Sequence, residues 1–388
     1  MTAPPSATTG FTLALIRQRH TPFGGAERFL ERAMTALANE GTTITLLSRE
    51  WPKGPSASPV TVKILNPPAL GRLWRDWSFS RAVRRELELN PHTLVQSHER
   101  IPGCDLYRAG DGVHRVWLEE RRRMQNPLQR LLTHLSPYHR HLLRAETALF
   151  TDPRLRAVIC NSRMVRDEIL RHFAIDPGKL HVIHSGIDSQ RFHPRLATEH
   201  RRSIRAGLGI DAEAPLFLFV GSGYIRKGVP ILIRAMRRLP PAVHLLVVGR
   251  ERRLERFIRQ AIREGVDRRI HFLGARSPVE PYYGAADALV LPTLYDPFPN
   301  VALEAMASGL PVITSWQSGA SDLIQDGVNG HLADALDEEA LVGFMRRLSD
   351  PELCRAMGIK ARETVKGLTP ERMAGAMLAL YRQLLSPP

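Results

Sequence analysis

The sequence has little cysteine and no long apolar run. Three widely separated cysteines occur among its 388 residues, at Cys104, Cys160 and Cys354. An odd, scattered set of this kind argues against a disulfide framework and indicates a reducing compartment such as the cytoplasm. No apolar stretch approaches the roughly 18–20 residues of a membrane-spanning helix, and the N-terminus lacks the basic start and apolar middle of a signal peptide. We therefore expect a cytoplasmic globular protein.

Metal-binding sequence patterns are also missing. The chain contains no His-Glu-x-x-His, no Cys-x-x-Cys and no Asp-x-Asp pattern. Since zinc and catalytic divalent cations are commonly held by such closely spaced ligands, the sequence predicts no metal site.

Acidic residues are the minority among the charged ones. The chain has 39 Asp and Glu against 54 Lys and Arg, which gives a formal net charge of +15. Such an excess implies an acidic partner: nucleic acid, an anionic membrane or a polyphosphate ligand. No recognisable DNA- or RNA-binding motif is present, so a nucleic-acid partner is not expected, although a basic nucleic-acid-binding protein remains the alternative from a different functional class.

The length and the order of predicted elements indicate two α/β domains. A chain of 388 residues is long for a single core. Apolar strand patterns alternate with helical ones from residue 11, and the alternation starts again at residues 215–220. This predicts two doubly wound parallel sheets. We place the domains at residues 1–190 and 191–370, with a final helix at about 370–388 returning to the first domain.

The chain is organised around residues 295–309. Two apolar runs that are typical of buried strands flank a short helix, for which Asn300 is the predicted N-cap. Asp296 precedes the helix and Glu304 lies within it. A helix N-terminus offers unpaired N–H groups to a diphosphate, and carboxylates accept hydrogen bonds from sugar hydroxyls. The alternative is a loop Asp that caps its own turn and a surface Glu.

Two glycine-containing strand-to-helix turns can bring a backbone close to a phosphate. One contains Gly24 and Gly25, and the other spans residues 221–228 and carries Arg226 and Lys227. On its own, the Gly24-Gly25 pair can equally serve only to tighten its turn. The Gly-x-Gly of the second turn is by itself a weak signal, and the segment is not a Walker sequence.

Asp111 and His114 occupy a turn that follows a predicted central strand. Asp-Gly between apolar residues is usually a tight turn, but ligands of open α/β sheets also bind where such strands end. From the residues alone, a structural and a functional role are equally supported.

The region 115–144 is rich in Arg and His with interleaved Trp and Leu. A basic face combined with an apolar one is typical of a helix that lies on an anionic lipid surface. An ordinary helical pair with solvated arginines is the alternative.

The motifs together resemble glycosyltransferase family 4, over nearly the whole chain. The resemblance rests on these segments in order: Phe23-Gly24-Gly25, Asn161-Ser162, Gly186-Ile187-Asp188, and residues 221–228, 296–309, 319–322 and 326–330. Asp296 and Pro299 replace a more usual Glu and Gly, and Ser222 stands where most members have Arg. Pro299 has no N–H to offer a phosphate. The variant phosphate loop and the basic region are most similar to the lipopolysaccharide core glucosyltransferase branch.

The resemblance implies a GT-B fold, with two Rossmann-like domains facing across a cleft, and a metal-independent retaining glycosyltransferase without a cofactor. It implies transfer of a hexose, glucose from UDP-glucose, to the heptose region of the lipopolysaccharide inner core, at the cytoplasmic face of the inner membrane. A different glycan or glycolipid acceptor is the alternative within the family.

Site roles follow from the same resemblance by matching position. Arg226 and Lys227 hold the diphosphate, with backbone amides from Asn300 and Val301, and Gly24 and Gly25 admit the donor phosphate. Glu304 binds the ribose and Asp296 the donor sugar. Asp111 and His114 face the reacting sugar or the acceptor.

Overall fold

The computed structural model describes residues 11–19, 42–51 and 60–386. The chain divides into two compact units, Met1–His184 with Pro370–Pro388, and Ser185–Thr369. The division falls at Ser185 rather than at residue 191. Ile187 and Phe192 are buried in the core of the second unit, and the Ile187 N–H donates to the Leu368 carbonyl there.

The first unit contains a seven-stranded parallel sheet in the order β3-β2-β1-β4-β5-β6-β7. Its strands are β1 (Thr12–Ile16), β2 (Thr43–Ser48), β3 (Val60–Ile64), β4 (Leu94–Ser97), β5 (Leu106–Arg108), β6 (Ala157–Cys160) and β7 (Leu180–Val182). Its described helices are α1 (Gly71–Leu89), α2 (His114–Arg122), α3 (Pro127–Leu135), α4 (Pro137–Phe150), α5 (Arg163–His172) and, from the C-terminus, α13 (Pro370–Leu385).

The C-terminal helix α13 closes one face of this first sheet. Met377 and Tyr381 are buried against Leu13 of β1 and Leu94 of β4. The Tyr381 hydroxyl donates to the side chain of Gln96, which is fully buried on β4. The last residues of the chain therefore complete the core of its first unit.

The second unit contains a six-stranded parallel sheet in the order β10-β9-β8-β11-β12-β13. Its strands are β8 (Leu216–Val220), β9 (His244–Val248), β10 (Ile270–Gly274), β11 (Ala288–Leu291), β12 (Val312–Ser315) and β13 (Gly330–Ala333). Its α-helices are α6 (Arg195–Gly207), α7 (Val229–Arg237), α8 (Leu254–Arg263), α9 (Glu280–Ala285), α10 (Asn300–Ala307), α11 (Glu338–Arg347) and α12 (Pro351–Val365).

Strand β8 shows why these strands are continuous apolar runs. Leu216 and Leu218 contribute to one hydrophobic core, whereas Phe217 and Phe219 contribute to the core on the other face. Because helices cover both faces of a parallel sheet, successive side chains are all buried and no polar alternation is needed.

Each sheet has one point at which the strand order reverses, between β1 and β4 in the first unit and between β8 and β11 in the second. Chain segments leave neighbouring strands in opposite directions there, and the resulting crevice at the carboxyl ends is where such sheets bind ligands. In the second unit, the segment with Arg226 and Lys227 follows β8 and the segment with Asp296 follows β11.

The basic region 115–144 forms three helices, not the single interfacial helix or the pair expected. Helices α3 and α4 each begin with a proline, Pro127 and Pro137, preceded by the capping side chains of Asn126 and Ser136. The N–H of the first helical residue has no acceptor within the helix, so proline, which lacks an N–H, is favourable at that position. Within the described ranges, no helix is long and apolar enough to cross a bilayer.

Candidate active site

The segment after β8 depends on glycines for its close approaches. Gly228 has φ +83°, and a Cβ there would lie 2.1 Å from the Pro292 carbonyl oxygen. Gly221 has φ +153°, and a Cβ there would lie 2.9 Å from Lys227 Nζ. Gly228 lets this segment pack on the end of β11, and Gly221 lets the side chain of Lys227 lie across the turn.

Asp296 joins the two segments through its carboxylate. Its Oδ2 lies 3.3 Å from Lys227 Nζ and 3.5 Å from Arg226 Nη1. The Arg226 guanidinium also donates to the Tyr295 carbonyl oxygen, at 2.6 Å. Two cations and one carboxylate are therefore held together at the strand-order reversal, with a net charge of +1 that suits an anionic ligand.

The backbone of Asp296 is fixed by the next segment of chain. Its N–H donates to the Gln317 carbonyl at 3.0 Å, and its own carbonyl accepts from the Gly319 N–H at 2.8 Å. Both partners follow β12, the neighbouring strand. The position of the carboxylate is thus set by the sheet and not by its own loop.

Helix α10 begins one residue earlier than the sequence predicts. Pro299 is the N-cap, with φ −75° and ψ 108°, and Asn300 is the first helical residue, so its assignment as N-cap was wrong. Proline is preset near this φ, and its missing N–H costs nothing before a helix. The N–H groups of Asn300 and Val301 lie in the first turn, where a helix offers no internal acceptor. The predicted amide donors are therefore at the helix start.

Glu304 is buried on α10 and bonded to another helix. It is only 4% exposed, and the Tyr283 hydroxyl on α9 donates to its Oε2 at 2.7 Å. A buried carboxylate needs such partners because desolvation penalises its charge. This burial excludes the alternative in which Glu304 is an ordinary surface residue. The sequence did not indicate Tyr283 as its partner.

In the first unit, Asp111 is exposed on the turn after β5. Gly112 has φ +66°, and its N–H donates to the Ala109 carbonyl, so the Asp-Gly pair does form a tight turn. Arg100 follows β4 and donates to the Gly112 carbonyl at 2.7 Å. The turn is thus fastened to the neighbouring strand, at the same edge of the sheet.

The start of α2 is held by a buried carboxylate from α4. Glu146 is 1% exposed and accepts from the His114 N–H at 2.7 Å and from Arg100 Nε at 3.1 Å. A negative charge at a helix N-terminus pairs with its free N–H groups and dipole. Glu146, an isolated acid just beyond the basic region, was a signal that the sequence reading missed.

His114 is an uncharged imidazole in a row of hydrogen-bonded side chains. Its Nε2 lies 3.1 Å from Nδ1 of His139, whose Nε2 lies 3.3 Å from the Arg121 guanidinium. Because arginine only donates, His139 accepts at Nε2 and donates from Nδ1, so His114 accepts at Nε2. Burial, followed by the charge of Arg100, lowers the pKa of His114 to about 3. The imidazole is therefore uncharged at neutral pH.

A carboxyl group also lies at the strand-order reversal of the first sheet, as Asp296 does in the second. Glu99 follows β4 and accepts from the Gln18 N–H after β1, at 2.9 Å. Desolvation is the main cause that raises the pKa of Glu99 to about 7, with Arg17 opposing it and Asp111 adding to it. No sequence motif marks Glu99, so the sequence alone does not indicate it.

Two predicted site residues, Gly24 and Gly25, lie outside the described residues. In the described part of the chain, no group of three or more His, Cys, Asp or Glu side chains is arranged to hold a metal ion.

Each half of the chain matches a model of a known protein family. The family model "Glycosyltransferase Family 4" matches residues 23–191, and the model "Glycosyl transferases group 1" matches residues 200–364. A relative from Escherichia coli (strain K12), lipopolysaccharide glucosyltransferase WaaG, is 26% identical over 343 residues, which span 86% of this chain and 88% of the relative.

Two further likenesses show the reach of this similarity. The crystal structure of WaaG, "a glycosyltransferase involved in lipopolysaccharide biosynthesis", superposes with a TM-score of 0.79 at 25% identity, covering 94% of this chain and 99% of that one. A D-inositol 3-phosphate glycosyltransferase from Xylanimonas cellulosilytica is 30% identical over 238 residues, 58% of this chain and 57% of the relative.

The predicted family resemblance and fold class are confirmed. With a family 4 match in its first half, a group 1 match in its second and a Rossmann-like sheet in each unit, the chain belongs to the glycosyltransferases of the GT-B fold.

Proposed function

We propose that this glycosyltransferase moves glucose from UDP-glucose to the heptose region of the lipopolysaccharide inner core, with retention of configuration and without a metal. The observation that carries the nucleotide-sugar part is the cluster of Arg226, Lys227 and Asp296 beside the start of α10. The choice of glucose and of this acceptor is supported by the likeness to WaaG, over 88% of that protein.

In this proposal, Arg226 and Lys227 bind the diphosphate. Breaking the anomeric C–O bond leaves positive charge on the sugar and negative charge on the diphosphate. Two cations and the N–H groups of Asn300 and Val301 stabilise that leaving group, and such preorganised electrostatic stabilisation is commonly the largest part of catalysis. The donor phosphate takes the place of the Asp296 carboxylate as partner of the cations, which frees Asp296 to accept hydrogen bonds from the donor sugar.

Glu304 binds the ribose hydroxyls in this proposal. The Tyr283 hydroxyl donates to its Oε2 and fixes the carboxylate, and a carboxylate has about four acceptor positions, which suits the adjacent hydroxyls of a ribose. In the first unit, Asp111 and the neutral His114 serve the acceptor side. His114 accepts at Nε2, so its Nδ1 carries the proton and can donate to a sugar oxygen.

The decisive experiment is nucleotide release from UDP-, GDP- and ADP-sugars, with and without a heptose-terminated lipid acceptor. Acceptor-dependent release of UDP from UDP-glucose alone is the expected result. Release from another donor would change the substrate and keep the site. Absence of release from every donor, together with absence of UDP binding in a titration, would overturn the proposed function.

A different acceptor within the family is the second candidate. The specific observation that favours it is the 30% identity to a D-inositol 3-phosphate glycosyltransferase. Adding inositol 3-phosphate and a neutral glycolipid to the acceptor panel separates the two candidates, since only the true acceptor should stimulate release of the nucleotide.

We also propose that the protein is peripheral on the cytoplasmic face of the inner membrane, through the basic region 115–144. Four leucines of α3 are each more than half exposed: Leu128, Leu131, Leu132 and Leu135. Exposed leucines among arginines are typical of helices that lie on anionic lipid. We expect the protein to float with anionic vesicles and to stay behind with neutral ones; equal recovery would remove the electrostatic argument.

A further inference from the structure

Helix α1 carries a second stripe of exposed apolar side chains, outside the basic region. Leu70 is the N-cap residue, and Leu73, Trp74 and Trp77 follow it at the spacings i+3, i+4 and i+7. At 3.6 residues per turn, these positions share one face of the helix. All four side chains are exposed to solvent, Leu70 most strongly.

The stripe lies opposite to the side of α1 that packs on its own unit. Phe79 and Val83 are fully buried, and they lie about half a turn away from the stripe. The core of the first unit therefore uses one face of α1 and leaves the tryptophan face to solvent. Scattered single apolar residues on a surface are ordinary, but a contiguous stripe of large ones marks an interaction surface.

The two indoles are adjacent and retain a cation beside them. Trp74 is 53% exposed and Trp77 is 41% exposed, with ring centroids 5.3 Å apart. The guanidinium carbon of Arg81 lies 5.7 Å from the centroid of Trp77. Arg84 and Arg85 are exposed on the next turn. The apolar stripe thus continues into a basic patch.

This surface lies on a helix that is a neighbour of α4. Helix α1 packs against α4, and α4 also packs against α3, the helix that carries the exposed leucines. Both apolar surfaces therefore belong to one region of the first unit.

We propose that the tryptophan face of α1 is a second bilayer contact, with Trp74 and Trp77 in the headgroup region of an anionic membrane and Arg81, Arg84 and Arg85 on its phosphates. Tryptophan prefers this interfacial depth because its ring is largely apolar and its N–H is polar. An anionic lipid is the occupant that matches both the stripe and its basic flank. This inference rests on the membrane association proposed above and adds a contact to it.

Bromolipid quenching tests the contact directly. Full-length protein is mixed with vesicles of phosphatidylglycerol and brominated phosphatidylcholine, and tryptophan fluorescence is recorded. We expect strong quenching in the wild type and clearly weaker quenching in the W74F/W77F variant, which keeps aromatic rings and should fold and in which Trp117 of the basic region remains. W316F is the matched control, because Trp316 is 56% exposed in the second unit; its quenching should equal that of the wild type.

Flotation on phosphatidylglycerol vesicles gives the second measurement. The W74S/W77S variant should bind about tenfold more weakly or worse, given the apolar area that each indole buries, whereas W316S should bind as the wild type does. Undiminished quenching in W74F/W77F would overturn the proposal. So would a lipid-free dimer, seen by sedimentation, that W74S/W77S abolishes while flotation is unchanged, because α1 would then contact a second copy.

The possible failures are distinguishable. If the wild type floats but its quenching equals that of W74F/W77F, the α1 contact alone is refuted. A wild type that does not float refutes both membrane contacts. Neither result bears on transferase activity, which is measured by nucleotide release with a water-soluble heptose acceptor and no vesicles.

Discussion

At the scale of single residues, the site combines groups that the sequence marked with groups that it did not. Lys227 and Asp296 stand 69 positions apart in the chain, yet their charged atoms lie 3.3 Å apart. Motifs indicated both residues. Tyr283, which bonds to Glu304, carries no motif, and its contact depends on how α9 packs beside α10.

Replacement of Lys227 by alanine should abolish most turnover and leave the fold intact. The lysine supplies charge to the leaving group, and loss of one such stabilising contact typically costs about 10²–10³-fold in kcat. Initial-rate measurement of nucleotide release, with circular dichroism as the folding check, tests this. Lys360→Ala is the matched control, because Lys360 is exposed on α12 and pairs with Glu363. Equal rates in the two variants would show that the phosphate site is misplaced.

His114 should make the protein less stable at acid pH. Its pKa is about 3 in the folded protein and about 6.5 when unfolded. Between these values the unfolded chain binds a proton that the folded chain does not, so the contribution of this residue is complete above pH 6.5 and is lost progressively as the pH falls towards 3. Melting temperatures of His114→Asn should therefore decline less steeply from neutral to acid pH than those of the wild type.

The control for this titration is His134→Gln, since His134 is exposed on α3. Its acid profile should match that of the wild type. Identical profiles for His114→Asn and the wild type would contradict the burial of a neutral imidazole at the start of α2.

At the scale of elements, the segment between β8 and α7 is a packed structure and not a flexible connection. Its glycines permit contacts with the ends of β11 and β9. A Cβ on Gly249, which follows β9, would lie 1.9 Å from the Gly221 carbonyl oxygen. The segment therefore holds its shape through the sheet, which preorganises Arg226 and Lys227 for an anion.

Gly228→Ala should destabilise the protein by about 1–3 kcal/mol, the usual cost of a side chain in a disfavoured backbone region. The clash with the Pro292 carbonyl adds to the strain at φ +83°. Gly343→Ala is the matched change, because Gly343 lies in α11 with open space around it. That variant should gain about 0.5–1 kcal/mol. Urea unfolding of both variants checks the pair, and similar free energies would contradict the packing described.

At the scale of the whole molecule, the chain returns to its first unit at the end. Helix α13 supplies Met373, Met377, Leu380 and Tyr381 to the core on one face of the first sheet. Residues distant in sequence thus complete one hydrophobic core, and the first unit cannot be complete until the last helix is made.

Deletion of residues 370–388 should therefore destabilise the first unit and spare the second. Limited proteolysis is expected to digest residues 60–184 rapidly in the truncated protein, while a fragment near Ser185–Thr369 persists. A milder variant, Tyr381→Phe, loses the bond to Gln96 and should cost about 1–3 kcal/mol, because it leaves a buried acceptor unsatisfied. A truncated protein as resistant as the full chain would refute this role of α13.

Much of the fold could be predicted because its signals are local. Strand β8 is a run of five apolar residues that ends in a glycine segment, and its position was predicted to within one residue. The three helices of residues 114–150 were not separated, although Pro127 and Pro137 mark two of their starts. Their composition, which is basic and leucine-rich throughout, concealed the breaks.

The sequence by itself determined the class of the protein, since strand–glycine–helix order, charge and the spacing of Asp296 and Glu304 are properties of the linear chain. Only the tertiary structure decided which charges meet. Parallel sheets bring the ends of β8, β11 and β12 to one edge, so Asp296, which follows β11, finds its partners on the two segments that follow β8 and β12. It also decided that Trp74 and Trp77 face outwards, because helical periodicity defines a stripe but not the side on which the core forms.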